Sequence, residues 1–162
     1  MTTKTSVVRQ LAGMRLQATT GSGFEIGFDS GQGQQAAGPT EVLLSALAAC
    51  TAMDVVSILA KKRQRYDRYE VQVRAEQRDD YPQVFTRIEL THEIEGPNLV
   101  VAAVRRSIEL SATKYCPISA MLSAGDTEIH HGYRVIGRGE PAFEESGEVI
   151  VTGPARWPEV LR

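Results

Sequence analysis

The stretch LLSALAACTAMDVVSIL, residues 43–59, is nearly apolar throughout and long enough to form one continuous helix, and the rest of the fold must be arranged around it. Pro39 suits the first turn of this helix, where its missing N–H costs no hydrogen bond, and we expect the helix to run to about Gln64. Its length, its single charge at Asp54 and the basic run KKRQR after it also fit a membrane-spanning helix. Its serine, threonine and alanine residues favour the other interpretation, a helix at the centre of a soluble fold.

The composition is that of an ordinary globular protein, with 162 residues of which 42% are hydrophobic and 23% are charged. The net charge of −2 gives no electrostatic argument for a nucleic acid or an anionic membrane as a partner, so a small neutral ligand fits better. The N-terminal residues MTTKTSVVRQLAG lack the apolar run of a signal peptide, and we therefore expect a cytoplasmic protein. Two cysteines in that compartment are more often inert or redox-active thiols than a permanent disulfide.

The remaining patterns predict an α+β fold, with strands on both sides of the long helix in the sequence. Two or three short strands in a hairpin arrangement are expected in residues 7–30. After the helix we expect a hairpin of two strands, a helix, a short third helix and a closing strand, at residues 69–78, 84–96, 98–115, 117–124 and 127–137.

The character of the chain changes from Arg138 onward, where prolines, glycines and acidic residues surround the single apolar patch VIV. This composition favours a C-terminal extension or partly ordered tail, and the alternative is that VIV adds an edge strand. The prediction is therefore a domain of residues 1–137 followed by an extension of residues 138–162.

Cys50 shares one face of the long helix with Asp54 and Ser57, because these residues follow at i+4 and i+7. A carboxylate beside a thiol is unusual on a purely structural face, which indicates that this surface needs polarity. Two other interpretations stay open: Asp54 could cap a neighbouring loop, and Cys50 could be an inert core thiol.

Cys116 directly precedes Pro117, which suits the first position of a helix, so Cys116 is a candidate N-cap of the short third helix. A thiolate there would face unpaired N–H groups and the positive end of the helix dipole, and both lower the pKa of a thiol. Lys114 could act in the same direction. The alternative is a cysteine that is merely tolerated where two helices meet.

The segments PTEVLLSALAACTAMDVVSIL and SATKYCPISAML, which surround the two cysteines, resemble the OsmC/Ohr family of cysteine-dependent hydroperoxide reductases, in particular its OsmC-like branch. The resemblance covers roughly residues 5–137. It implies an OsmC-like fold, with antiparallel sheets wrapped around long central helices, and an intertwined homodimer with active sites at the subunit interface. A helix that is apolar on all sides would then be covered by the partner subunit.

The resemblance also implies the chemistry. In the family the first cysteine attacks the peroxide and the second resolves the intermediate, which assigns these roles to Cys50 and Cys116. The attacking thiolate becomes a sulfenic acid and then a Cys50–Cys116 disulfide, which an external dithiol, for example one of lipoyl type, reduces without a further cofactor. The residues themselves favour the opposite assignment, since Cys116 has the helix N-terminus and Cys50 has an acidic neighbour at Asp54.

The residues that activate the thiolate are less easily carried over. Well-studied Ohr members use an arginine on the N-terminal hairpin and a glutamate ten residues before the attacking cysteine. Here that position is Thr40, with Glu41 next to it, and Arg15 lies in MRLQATT and not in a GGR motif. Glu41, Arg15 and Asp54 are the auxiliary candidates, and Glu41 could instead cap the helix.

The two adjacent histidines do not predict a metal site. His130 and His131 lie on a predicted strand and therefore point to opposite faces. Their spacing from the two cysteines matches no known zinc pattern, so we predict no metal ligands. The favoured function is a thiol-dependent peroxidase for organic hydroperoxides, and the alternative is a non-catalytic ligand-binding or redox-sensing protein with the same fold.

Overall fold

The computed structural model describes residues 1–31 and 33–153. They fall into two compact units, the first ending at Leu44 and the second beginning at Ser45. The boundary lies inside the long helix α1, Pro39–Lys61. This helix begins with the proline predicted to open it and ends slightly before the predicted Gln64.

The N-terminal unit contains a three-stranded antiparallel sheet formed by β1 (Ser6–Ala12), β2 (Arg15–Thr20) and β3 (Glu25–Phe28), in that order. The turn between β1 and β2 uses Gly13 at φ 56°, a conformation that favours glycine. The predicted hairpin arrangement of short strands is therefore confirmed.

The second unit contains a four-stranded sheet in the order β4 (Arg68–Gln77), β5 (Phe85–Gly96), β6 (Glu128–Gly137) and β7 (Phe143–Thr152). Strands β4 and β5 form the predicted hairpin. Strands β5 and β6 are parallel, which departs from the expected antiparallel sheets. The reason is the connection between them, because a chain that crosses over through helices returns in the same direction.

The crossover consists of α2 (Val101–Leu110), a π-helical turn (Ser111–Tyr115) and α3 (Pro117–Ser123). The predicted helix over residues 98–115 is thus an α-helix that widens into a π turn before Cys116. The backbone N–H of Cys116 closes this turn by donating to the carbonyl oxygen of Ser111 at 3.0 Å. Such π turns within helical segments are frequently found at functional sites.

The C-terminal segment forms the edge strand that was the less favoured alternative. Strand β7 pairs antiparallel with β6, and it is held there because Val149 packs against the core and Val151 is buried. Residues 154–162 of the predicted extension lie outside the described residues, and the division of the chain at residue 137 stays a prediction.

Helix α1 buries one stripe of side chains, namely Leu47, Thr51, Val55 and Leu59. Two of these side chains join a core formed with residues of β5, of α2 and the segment before it, and of β6. The core residues are Val55, Leu59, Ile94, Leu99, Val104, Ile108, Tyr133 and Val135. By length and composition α1 could also cross a membrane, a test that core helices of soluble proteins meet as well.

Candidate functional site

Helix α1 carries Cys50 and Asp54 one helical turn apart, beside its buried stripe. Both side chains are half-buried. The predicted shared face is therefore present, and it lies at the margin between the core and the surface, where a thiol can be both positioned and reached.

Cys116 approaches from the crossover. It is the N-cap of α3, as predicted, and its Sγ accepts a hydrogen bond from the backbone N–H of Ser119 at 3.3 Å. Only 2% of Cys116 is exposed, so the surrounding chain shields it far more than Cys50.

The two cysteines and the aspartate converge, with the Sγ atoms of Cys50 and Cys116 and a carboxylate oxygen of Asp54 all within 4.8 Å of one another. Both cysteines are free thiols. Ser111 links the elements that carry them, because its hydroxyl donates to Oδ2 of Asp54 at 2.9 Å while its carbonyl accepts from the N–H of Cys116. We call Cys50, Asp54, Ser111 and Cys116 the thiol cluster.

The electrostatics of Cys116 are the reverse of the expectation. Burial raises the pKa of the Cys116 thiol to about 12, and the neighbouring Cys50 side chain acts in the same direction. The backbone N–H of Ser119 favours the thiolate, as the helix N-terminus was expected to do, but this effect is smaller. The prediction of a lowered pKa was wrong because exposure cannot be read from the residues around the cysteine, and desolvation outweighs the helix terminus.

The other two auxiliary candidates, Arg15 and Glu41, lie in the N-terminal unit, where each has another partner. Nη1 of Arg15 donates to Oε1 of Gln35 at 2.7 Å. Oε2 of Glu41 accepts from the backbone N–H of Gly38 at 2.7 Å, immediately before α1. The alternative that Glu41 caps the helix is therefore confirmed.

A second polar group lies between the sheet and the helices and was not anticipated. Its members are Tyr69 on β4, His92 on β5 and His131 on β6, which we call the histidine cluster. The register places Val71 opposite His92 and Leu90 opposite His131. Tyr69 lies two residues before Val71, and Leu90 lies two residues before His92, and residues two apart on a strand share a face. The three side chains of the cluster therefore share the buried face of the sheet. Strand alternation from Leu90 to Ile94 does predict an inward His92, and this was the signal that could have revealed it.

The histidine cluster is sealed and incompletely hydrogen-bonded. The Tyr69 hydroxyl lies 2.7 Å from Nδ1 of His92, while Nε2 of His92 and both ring nitrogens of His131 have no hydrogen-bond partner among the described residues. Burial lowers the pKa of His92 to about 3 and that of His131 to about 4. Burial also raises the pKa of Tyr69, with the charges of Tyr66 and Asp54 as smaller causes.

His130 points away from this cluster, as the predicted alternation requires. It is half-buried, and its Nδ1 lies 2.7 Å from Oε2 of Glu148 on the neighbouring strand. The expectation that His130 and His131 face opposite sides is confirmed.

Comparison with known proteins decides the family. The sequence profile described as OsmC-like protein matches residues 31–131. This chain belongs to the OsmC-like family. Protein YhfA of Escherichia coli (strain K12) is 39% identical over 129 residues, which is 80% of this chain and 96% of that protein.

Solved structures of similar proteins share the fold. An OsmC-like protein from Mycoplasma pneumoniae is 20% identical with a TM-score of 0.69, covering 82% of this chain and 95% of that one. An organic hydroperoxide resistance protein from Elizabethkingia anophelis is 16% identical with a TM-score of 0.62, covering 83% and 96%. At these identities the likeness shows the fold alone, and it confirms the predicted OsmC-like α+β architecture.

Proposed function

We propose that this OsmC-like protein is a thiol-dependent peroxidase that reduces organic hydroperoxides. The observation that carries the proposal is the pair of free thiols within 4.8 Å of each other, one half-exposed and one buried. The name of the Elizabethkingia anophelis protein, an organic hydroperoxide resistance protein with the same fold, supports the choice of substrate class.

The unequal burial of the two thiols favours Cys50 as the attacking residue. Cys116 keeps its proton because burial raises the pKa of its thiol to about 12. Because only 2% of Cys116 is exposed, the surrounding chain also shields its sulfur from a hydroperoxide. Cys50 is the half-buried thiol of the pair, and it is therefore the one that solvent and substrate can reach.

The proposed reaction begins when the Cys50 thiolate attacks the distal oxygen of the hydroperoxide. An S–O bond forms, the O–O bond breaks, and the alkoxide leaves and takes a proton from water, so the peroxide is reduced and Cys50 becomes a sulfenic acid. The sulfur of Cys116 then attacks Cys50, and water leaves as the disulfide forms. An external dithiol of lipoyl type reduces this disulfide by exchange and is itself oxidised.

Asp54 and Ser111 assist the second step in this proposal. Cys116 must lose its proton while it attacks, and the Asp54 carboxylate lies within 4.8 Å of both sulfur atoms. The hydroxyl of Ser111 fixes this carboxylate through Oδ2. Asp54 is thereby positioned to accept the proton of Cys116 and pass it to the departing hydroxide of the sulfenic acid.

We also propose that two copies assemble as a homodimer through α1. Beside its buried stripe, the helix exposes a second apolar stripe at helical spacing, Ala49, Met53, Val56 and Ala60, and 73% of Met53 is accessible. A contiguous apolar surface of this kind is unusual on a monomer. A second α1 would cover it, and an obligate interface of this type buries more than about 2,000 Å².

Sedimentation of Met53→Glu tests the homodimer, with Tyr81→Glu as a control because Tyr81 is exposed on the turn between β4 and β5. We expect the unchanged protein and the control to sediment as dimers. A charge in the middle of the stripe should make Met53→Glu dissociate or unfold at micromolar concentration. A dimer of unchanged stability in Met53→Glu would contradict the assignment of α1 as the interface.

Thiol counting after one equivalent of cumene hydroperoxide tests the peroxidase. A peroxidase loses both thiols of each chain within one turnover, and dihydrolipoamide restores them. A ligand-binding or redox-sensing protein, the alternative function, would lose them slowly or not at all. Turnover measured with several hydroperoxides would then identify the preferred substrate.

A further inference from the structure

The thiol cluster also has the composition of a metal site. We propose that Cys50, Asp54 and Cys116 bind one zinc ion through their two sulfurs and one carboxylate oxygen. Around a tetrahedral zinc ion, bonds of about 2.3 Å to sulfur and about 2.1 Å to oxygen place neighbouring ligand atoms roughly 3.5–3.8 Å apart. The three atoms lie within 4.8 Å of one another, so a contraction of at most about 1.3 Å would bring them to this geometry.

Two of the three ligands already have hydrogen bonds that would orient them toward an ion. The hydroxyl of Ser111 donates to Oδ2 of Asp54, and the backbone N–H of Ser119 donates to Sγ of Cys116. Hydrogen bonds from residues outside the ligand set hold metal ligands in position and tune the affinity of a site for its metal. Cys50 and Asp54 are themselves only half-buried.

The donor set selects the class of metal. Two thiolates favour zinc and other soft or borderline ions, whereas magnesium and calcium require oxygen ligands. With three protein ligands, the fourth position of the ion would hold water or a small ligand, as in open zinc sites. The sequence did not predict this arrangement, because the ligands come from distant segments and follow no regular spacing.

Binding is an exchange of protons for metal without any change of oxidation state. Two S–H bonds break, two Zn–S bonds and one Zn–O bond form, and two protons are released to solvent. The ion is then bonded to both sulfur atoms, so neither is free to attack a peroxide. It follows that zinc and hydroperoxide exclude each other from the site, a consequence that rests on the peroxidase proposed above.

Cobalt(II) is the probe for the test, because its bonds to thiolates give charge-transfer absorption. The fully reduced protein is titrated without oxygen, and we expect one cobalt per chain, thiolate charge-transfer bands, about two protons released and displacement by zinc. Cys50→Ser or Cys116→Ser should lose about half of the charge-transfer intensity and at least about 100-fold in affinity. Asp54→Asn should keep the bands and bind more weakly by at least the about 10- to 100-fold that the loss of an outer contact to a metal ligand typically costs.

His130→Asn is the matched control, since His130 lies beside Glu128 and Glu148 and outside the thiol cluster. This variant should bind cobalt as the unchanged protein does. Binding without thiolate bands, or binding lost in His130→Asn and kept in Cys50→Ser, would overturn the proposal. No peroxide is present in this titration, so its result is independent of whether the protein proves to be a peroxidase.

Discussion

The thiol cluster and the histidine cluster are both polar groups set in an apolar interior, but they differ in access and in hydrogen bonding. In the thiol cluster, Asp54 and Cys116 have partners, and Cys50 opens toward the surface. In the histidine cluster, His92 and His131 are fully buried and three of their ring nitrogens have no partner among the described residues. Reactivity is expected where a polar group is both positioned and reachable, whereas a sealed polar group mainly affects stability.

The largest expected effect lies in the thiol cluster. Cys50→Ser should reduce peroxide turnover by at least about 1,000-fold, because a hydroxyl cannot replace the attacking thiolate. Cys116→Ser should instead allow one oxidation of Cys50, followed by stalling or over-oxidation, because no thiol resolves the sulfenic acid. Peroxide consumption measured with dihydrolipoamide distinguishes the two variants. Equal residual turnover in both would contradict the separate roles of Cys50 as the attacking thiol and Cys116 as the resolving thiol.

The histidine cluster should produce the steepest dependence of stability on pH. Its histidines have pKa values lowered to about 3 and about 4 in the folded protein, so below pH 6.5 the unfolded chain binds more protons than the folded one. The free energy of unfolding is fully maintained above about pH 7. As the pH falls below about 6.5 it should decrease by up to about 1.4 kcal/mol per pH unit for each histidine.

Urea unfolding between pH 7 and pH 5 measures this slope, and His131→Leu is the comparison variant. Removing one histidine should reduce the slope by up to about 1.4 kcal/mol per pH unit, a limit that is approached as the pH nears 5. The carboxyl groups with lowered pKa values, such as Glu89, titrate below this window. An identical slope in His131→Leu would show that the histidine cluster is not sealed.

A smaller effect is expected from the residues that support the thiols. Asp54→Asn should slow disulfide formation about 100-fold, because the amide cannot accept the proton of Cys116, while the first oxidation of Cys50 continues. Ser111→Ala should slow the same step about tenfold, since it leaves the carboxylate in place but less firmly oriented. Stopped-flow measurement of sulfenic acid decay checks both, and a first oxidation slowed as much as the second would assign Asp54 to the attack instead.

The smallest effect on turnover is expected from the hydroxyl of Tyr69. Tyr69→Phe removes the partner of Nδ1 of His92 and should lower the free energy of unfolding by about 1–3 kcal/mol. Peroxide turnover should change by less than about twofold, because Tyr69 touches neither sulfur in this account. Unfolding and turnover are measured in parallel on the same variant. A tenfold loss of turnover would show that the histidine cluster contributes to the reaction at the thiol cluster.

Local patterns predicted most of the fold. Pro39, Pro117 and the alternation in β4, β5 and β6 were sufficient for the elements and for the N-cap at Cys116, because these signals act over a few residues. The parallel pairing of β5 and β6 depends on the path of the crossover, which periodicity does not contain. The edge strand β7 was underestimated because its apolar patch is short and the composition around it resembles a tail.

The candidate site divides in the same way. The shared face of Cys50 and Asp54 followed from helical spacing, and the pairing of Cys50 with Cys116 was suggested by the family resemblance. The raised pKa of Cys116 and the hydrogen bond from Ser111 depend on burial and on contacts between distant segments. Neither can be read from the residues that surround a cysteine in the sequence.

Mass spectrometry of the single-cysteine variants after one equivalent of cumene hydroperoxide, with dimedone to trap sulfenic acid, tests the central claim most directly. If Cys50 is the attacking thiol, a dimedone adduct forms rapidly on Cys50 in Cys116→Ser, and no comparable adduct forms on Cys116 in Cys50→Ser. In the unchanged protein the product should be a Cys50–Cys116 disulfide within one chain. Rapid oxidation of Cys116 in Cys50→Ser, or an unmodified Cys50 in Cys116→Ser, would contradict it.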